Sequence, residues 1–294
     1  MPRRTQELPA DKHPGIRGFI KSIAGERRLE SIRSARAVVR GVIPDREIAG
    51  ALLKGKFNFG QCPICDKGVM FVRKGWYDRN SYVCLSCQSV PRQRAIIRVL
   101  EMLFPNWREL SIHESSPGGA SSAKIREGCK DYTASHFFQD MPLGTYKDGY
   151  RCENLEKMTF PDEAFDLMIT QDVMEHILHP PAAFAEIARI LKPGGAHVFT
   201  VPYWYWKKTL VRAIDTPEGI KHLEPPDYHG NPVDEQGSLV VTEWGPELID
   251  EIYQHGGMRT TVYNIQDAGM GLKGQFLDVL VSTKADCYPD DLSA

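Results

Sequence analysis

Residues 160–202 read FPDEAFDLMITQDVMEHILHPPAAFAEIARILKPGGAHVFTVP. Leu167, Met168 and Ile169 follow Phe165 and Asp166 as a short apolar run, the pattern of a strand covered on both faces. Phe184, Ile187, Ala188 and Leu191 recur at i, i+3, i+4 and i+7, which is one face of a helix. Lys192 is expected in the last turn of that helix and Gly194 just past its end. Val198, Phe199, Thr200 and Val201 form a second apolar, β-branched run. Strand, crossover helix and strand make a right-handed βαβ unit, and therefore an α/β fold built on a parallel sheet.

Met158 to Asp162, Phe165 to Leu167, Met174-Glu175-His176, Glu186, Arg189 and Leu191 to Gly195 stand in one order and at one spacing. In that arrangement the stretch resembles the class I S-adenosylmethionine-dependent methyltransferases, in their small-molecule, type 11-like branch. The resemblance covers residues 108–202 closely and 243–284 in outline. It implies a Rossmann-like sheet of seven strands with helices on both faces. The strands around Thr260–Tyr263 and Phe276–Ser282 would form the closing antiparallel pair. A helix opening at Pro246 would carry Leu248, Ile249, Ile252 and Tyr253 inward and stop at Gly256 and Gly257. The implied cofactor is S-adenosyl-L-methionine.

The resemblance also implies a cofactor loop. Strand one falls at Leu110–Glu114, and Glu114 stands where the family's acidic residue holds the methionine amino group. The loop continues Ser115-Ser116-Pro117-Gly118-Gly119, with Ser116 in place of the usual first glycine. Gly118 and Gly119 permit close backbone approach, with a helix N-terminus beyond. Strand two, 131–135, ends in Ser135 and His136 where the family has a ribose-binding carboxylate, so Ser135, His136 or Asp140 takes that place. Asn154 aligns with the family's adenine-binding aspartate, and Leu155 would offer its backbone N–H to the ring. Gln171, Asp172 and His176 lie past strand four, toward cofactor and substrate. The family's Asn/Asp-Pro-Pro-Tyr/Phe motif for nucleobase and amide nitrogens is replaced here by Thr170-Gln171-Asp172-Val173.

Upstream, Cys62-Pro-Ile-Cys65 and Cys84-Leu-Ser-Cys87 are separated by eighteen residues. Each pair places two thiolates on a tight turn, and two such turns close a tetrahedron around Zn²⁺. Met70–Val72 and Ser81–Val83 are the expected ribbon strands. With four protein ligands the zinc is structural. Pro91 starts a helix whose Ile96, Ile97, Leu100 and Phe104 face a core; Arg92 and Arg94 read as solvated, or as phosphate contacts.

The chain has 294 residues, 42% of them hydrophobic and 25% charged, with a formal net charge of −2. These values suit a globular protein with no overall pull toward nucleic acid. The charge is uneven, since residues 1–60 hold 13 Lys+Arg against 6 Asp+Glu. Ile16, Phe19, Ile20 and Ile23 recur there at helical spacing. Residues 1–60 thus read as a basic helical arm, with Pro44 and Gly50–Gly60 as connector. The arm is either a helix packed on the body or a contact for a membrane surface or another anionic partner. The opening residues hold no apolar core of a signal peptide, and no run is long enough to span a membrane. Cysteines in a metal pattern agree with the expected cytoplasmic location.

The organisation predicted is an arm (1–60), a zinc ribbon (61–90) and a methyltransferase domain (91–294) with a lid insertion at about 203–243. Tyr203-Trp204-Tyr205-Trp206 in the lid offers flat faces for a sugar ring or aromatic acceptor, or else packs beneath the lid. His229 is the preferred general base and His176 the second catalytic candidate. The expected function is methyl transfer to a hydroxyl or amine of a small molecule or glycan. Three alternatives stand beside it. One is an RNA methyltransferase gripping nucleic acid through its zinc ribbon, a layout similar to that of bacterial ribosomal-RNA guanine methyltransferases. The others are a non-catalytic binding protein on a decayed methyltransferase fold, and a membrane-surface scaffold acting through the arm. The oligomeric state is not legible in the sequence.

Overall fold

A computed structural model describes residues 46–74, 78–231 and 234–286. The basic arm lies outside the described residues as far as position 45. The chain divides into two compact units, Met1–Lys56 and Phe57–Ala294. In the first, helix α1 (Arg46–Leu53) ends in a turn in which Lys56 N–H donates to Ala51 O. Gly50, read as connector, lies inside this helix.

The second unit opens with the ribbon. Strands β1 (Phe57–Cys62), β2 (Lys67–Arg73) and β3 (Tyr82–Cys84) pair antiparallel in that order, with a short helix α2 (Asp78–Ser81) before β3. The ribbon therefore begins at Phe57, within the expected connector, and Ser81 belongs to the helical turn rather than to the strand. Helix α3 (Pro91–Leu103) follows, with proline at its start, where the missing N–H costs nothing.

The main sheet is built from β4 (Ser111–Ser115), β5 (Asp131–His136), β6 (Tyr146–Lys147), β7 (Tyr150–Cys152), β8 (Phe165–Gln171) and β9 (Leu191–Thr200). Helix α4 (Gly119–Gly128) joins β4 to β5, and α5 (Pro180–Ile190) joins β8 to β9. The segment expected as a lid contributes β10 (Leu210–Val211), β11 (Ala213–Thr216), β12 (Gly219–His222), β13 (Tyr228–Asn231), β14 (Asp234–Leu239) and β15 (Thr242–Glu243). These form three small pairs: β10 with β15, β11 with β12, and β13 with β14. Helix α6 (Glu247–Gly256) and strands β16 (Arg259–Tyr263) and β17 (Val279–Thr283) complete the chain.

The sheet order is β16-β17-β9-β8-β4-β5-β7-β6. From β9 to β7 the strands are parallel; β17, β16 and β6 are antiparallel to their neighbours. Seven strands were expected and eight are present. The eighth, β6, is two residues that fold back on β7 at the sheet edge, too short to carry a period in the sequence.

Period-two alternation decides which helix packs where. Leu167 and Ile169 of β8, Ala196 and Val198 of β9, and Val279 and Val281 of β17 enter one core with Ile96, Ile97 and Leu100 of α3 and Ile125 of α4. Met168, Phe199 and Leu280, one residue out of step, enter a second core with Phe184 and Ile187 of α5 and Leu248 and Ile252 of α6. Helices thus cover both faces of a Rossmann-like sheet. The expected end of α5 shifts: the helix stops at Ile190 and Lys192 lies in β9. Lys192 precedes Pro193, whose ring pushes the preceding residue out of the helical region.

Arg92 and Arg94 are not solvated helix arginines. Arg94 is fully buried. It donates to Ser89 O (2.5 Å), Ser89 Oγ (3.0 Å), Tyr82 O (2.6 Å) and Gly271 O (2.7 Å). Arg92 pairs with Asp172 at 2.9 Å.

Candidate functional site

The chain runs outward from β4 to β5 and β7, then returns to place β8 on the other side of β4. The strand order therefore reverses between β4 and β8, and in open α/β sheets ligands bind beyond the carboxyl ends at such a reversal. Ser115 lies opposite Thr170 in this pair, so the next residues, Ser116 and Gln171, emerge at one level. Ser116 has φ +54°, the left-handed region that a glycine would take more easily. Its N–H donates to Ser135 O at 2.8 Å. Gly118 caps α4 with extended backbone, φ −163°. Gly119 has φ +73°, and a Cβ there would strike the Gln93 side chain of α3. A Cβ on Gly118 would meet nothing within 4 Å.

Beneath this turn Glu114 is fully buried. Its Oε1 accepts from Ser122 Oγ (2.6 Å) and Gln171 Nε2 (2.9 Å), and its Oε2 from the Tyr132 hydroxyl (2.8 Å). Burial pushes its carboxyl up, while these three neutral donors and the charge of Arg126 pull it back. Gln171 also accepts from Ser121 Oγ at 2.8 Å. Glu114, Ser116, Gly118, Gly119 and Gln171 thus come together. The other cofactor candidates are engaged elsewhere. Ser135 is buried with its Oγ 2.8 Å from His113 Nε2. His136 is buried edge-on against Tyr150, and Asp140 is exposed beyond β5. Asn154 Oδ1 accepts from Glu156 N–H at 2.9 Å within its own turn, and Leu155 joins the second core.

Asp172, next after Gln171, has φ +55°. Arg79 of α2 and Arg92 of α3 both pair with it, and Thr200 Oγ1 donates to it at 3.1 Å. Burial alone would raise its carboxyl; the two arginines outweigh that and hold it below the usual range. Asp172 is thus a strut between the ribbon and the sheet, with two arginines on its carboxylate. Arg79 Nε also donates to Phe276 O at 3.0 Å. The Phe276 ring meets Trp204 at 4.5 Å and Trp206 at 5.7 Å. Of the aromatic run, Tyr203 is buried, while Tyr205 and Trp206 are 65% and 53% exposed. The packing reading therefore holds for Tyr203, while Tyr205 and Trp206 leave ring faces exposed.

The turn Met174–His176 is where the lid attaches. Trp244 Nε1 donates to Met174 O (3.0 Å), Val241 N–H to Glu175 O (2.8 Å), and His176 Nδ1 lies 2.8 Å from Leu239 O. The lid also carries His229 on β13, whose ring stands edge-on to that of His176 with centroids 5.4 Å apart. Glu175 completes the group: one ligand-type atom from each of Glu175, His176 and His229 lies within 4.8 Å of the others. Glu175 is 2% exposed and, among the described residues, neither carboxylate oxygen has a hydrogen-bond partner. Burial, then the charge of Asp172, push it up to about 8. The sequence points to both histidines; Glu175 was read only as half of a Glu-His pair, and no spacing rule links it to a histidine 54 positions on.

In the ribbon, the four sulfurs of Cys62, Cys65, Cys84 and Cys87 gather within 4.8 Å. Two knuckles share one geometry: Asp66 N–H returns to Cys62 O and Gln88 N–H to Cys84 O, each at 2.9 Å, with Asp66 and Gln88 at positive φ. Cys62 and Cys87 sulfurs are 3.7 Å apart and those of Cys65 and Cys84 4.0 Å. A tetrahedron with metal–sulfur bonds of about 2.3 Å has edges of about 3.8 Å. An open groove of about 490 Å³ lies beside this cluster, lined by Cys65, Cys87, Trp107 and Lys124 among others.

Residues 118–199 match the methyltransferase domain family. Over 46 residues the chain is 41% identical to an uncharacterized methyltransferase of Schizosaccharomyces pombe, covering 16% of each chain. Over 65 residues it is 38% identical to a ubiquinone biosynthesis O-methyltransferase of Bradyrhizobium, covering 22% of this chain and 25% of that one. The chain thus aligns with about a quarter or less of the length of these curated relatives. An S-adenosylmethionine-dependent methyltransferase structure from Mesorhizobium loti superposes with TM-score 0.44 at 17% identity, over 64% of this chain and 97% of the other. Among the described residues no helix is long and apolar enough to cross a membrane. The chain carries a Rossmann-like fold, and the stretch from the turn at Gly118 to Phe199 in β9 matches the methyltransferase domain family.

Proposed function

We propose that the chain is an S-adenosylmethionine-dependent methyltransferase acting on a hydroxyl or amine of a small molecule or glycan. The observation that carries this reading is the open space at Gly118, set over the β4/β8 reversal and at the start of α4. Gly119 is a glycine because of its φ and of Gln93; the protein itself gives Gly118 no such reason. A ligand approaching the backbone supplies one. Glu114 fits the ammonium end of the cofactor, being a buried carboxylate whose three donors are all neutral. Asn154 and Leu155 would face the adenine, and Ser135 or His136 the ribose; each would have to exchange a present contact for the ligand. S-adenosylmethionine supplies an electrophilic methyl group, so the chain's own work is orientation, exclusion of water and disposal of the acceptor's proton. His229 and His176 stand at the acceptor side. The exposed faces of Tyr205 and Trp206 suit a sugar or aromatic ring.

The cysteine cluster is proposed as a structural zinc site. The sulfur spacing fits a tetrahedron, and the buried guanidinium of Arg94 has only carbonyls and a hydroxyl as hydrogen-bond partners. Burial lowers Arg94 to about 10, and the thiolates of the cluster are the charges that oppose this. Four thiolates on one Zn²⁺ carry net negative charge, which a buried arginine needs.

Calorimetry with S-adenosylmethionine and its demethylated product tests the main reading, followed by an acceptor screen that includes structured RNA. Binding of both is expected. No heat and no thermal protection at millimolar cofactor replaces the enzyme with a binding protein on the same fold.

A further inference from the structure

We infer that Glu175, His176 and His229 form a second metal site, taking a divalent first-row cation such as Zn²⁺ or Mn²⁺ through one carboxylate and two imidazoles. The first argument is Glu175 itself. Two carboxylate oxygens at 2% exposure with no donor are a costly arrangement unless something else satisfies them. The acid next to it, Asp172, shows the alternative, since two arginines and Thr200 satisfy that carboxylate completely. Among the described residues no donor serves Glu175 in that way.

The second argument is the orientation of His176. Its Nδ1 lies 2.8 Å from Leu239 O, and a carbonyl only accepts, so the proton sits on Nδ1. Nε2 is then the free lone pair, and it lies on the Glu175 side, 3.9 Å from Oε1. That separation is too long for a hydrogen bond. Two ligands about 2.1 Å from one cation stand roughly 3.0–3.5 Å apart, so a small side-chain rotation closes the gap. An imidazole that donates its remote N–H to a backbone carbonyl is the usual setting of a metal-bound histidine.

The third argument is the lid. Val241 N–H on Glu175 O and Leu239 O on His176 fix the lid against the turn that holds two ligands, while β13 delivers the third. His229 is 43% exposed and its Nε2 lies 3.9 Å from Asp227 Oδ2. Three protein ligands leave a coordination position open, as in catalytic rather than structural sites. In the proposed reaction that position would take an acceptor oxygen, and the two histidines would act through the cation rather than as free bases.

The test is metal stoichiometry on the whole chain, equilibrated with Zn²⁺, desalted and analysed by mass spectrometry of the metal. Wild type is expected to hold one equivalent more than Glu175→Gln or His229→Ala. A parallel Mn²⁺ titration followed by electron paramagnetic resonance excludes the thiolate cluster, because Mn²⁺ prefers oxygen and nitrogen donors. Affinity should fall at least about tenfold in each variant. His229→Ala carries the result if Glu175→Gln fails to fold, since His229 is exposed on the lid. Equal zinc content in wild type and His229→Ala, or Mn²⁺ binding unchanged by it, overturns the site. Neither measurement involves the methyl donor, so failure here leaves the methyltransferase reading standing.

Discussion

Gly118 and its neighbour Gly119 differ in what surrounds them, and that difference can be measured. Gly118 has extended backbone and open space, so Gly118→Ala should change stability by no more than about 1 kcal/mol, the order of a helix-cap change. Its cofactor affinity should nevertheless fall at least about tenfold, roughly 1.4 kcal/mol. Unchanged affinity by calorimetry would remove the observation on which the proposed function rests. Ser116 is the opposite case, a side chain held at φ +54°. The left-handed region costs about 1–2 kcal/mol for a residue with a Cβ. Glycine returns about 0.4–1 kcal/mol of that through its freer unfolded chain. Ser116→Gly should therefore leave stability equal or up to about 1.6 kcal/mol higher, read as a melting temperature that does not drop. At this scale the sequence placed Glu114, Ser116, Gly118 and Gly119 in one loop, because they adjoin along the chain. It missed the donors closing on Glu114, since Tyr132 and Gln171 arrive from other strands. The ribose and adenine candidates were assigned by alignment, which does not report that Ser135 faces His113 or that Asn154 closes its own turn.

Elements were legible where a period or a spacing exists. The strand, helix and strand around residues 165–200 have both, and so does the paired CxxC. The lid has neither: its strands are two to six residues long and held by contacts to the Met174–His176 turn. The ribbon makes a prediction of its own. With zinc bound, the thiols of Cys62, Cys65, Cys84 and Cys87 should resist a thiol reagent until a strong chelator is added, and chelation should release one equivalent of zinc with their exposure. Because Arg79 and Arg92 hold Asp172 at the end of β8, chelation should also weaken cofactor binding. Immediate reaction of all four thiols before chelation would argue against zinc.

For the molecule as a whole, two histidines set the response to acid. His113 and His197 are fully buried, and burial brings each down to about 3, helped by the charge of Arg151 at His113 and by His113 at His197. Unfolded, each titrates near 6.5. The unfolded chain therefore binds more protons between those values. The stability these residues contribute is complete above about pH 6.5 and is lost as pH falls toward 3, at about 1.4 kcal/mol per unit for each. The raised carboxyl of Glu175 works in the opposite sense from about pH 8 down to about 4.3, so urea midpoints should decline most steeply below about pH 4.3; a level profile from there to pH 3 would mean that the imidazoles are not sealed in. The two-core architecture was readable because β8 and β9 alternate, yet the join between ribbon and sheet was not, since it rests on Arg94, which looks like any surface arginine of a helix. That join also has a place in time. Tyr82 and Ser89, which hold one side of the Arg94 guanidinium, are synthesised just before it, whereas Gly271, which holds the other, is added more than 170 residues later. Gly271 has φ +65°, and a Cβ there would press into the Phe71 ring at 2.7 Å, so this loop packs directly against the ribbon. On a ribosome the ribbon is exposed first and completed last, and a nascent chain halted before Gly271 would present a buried cation still waiting for its fourth acceptor.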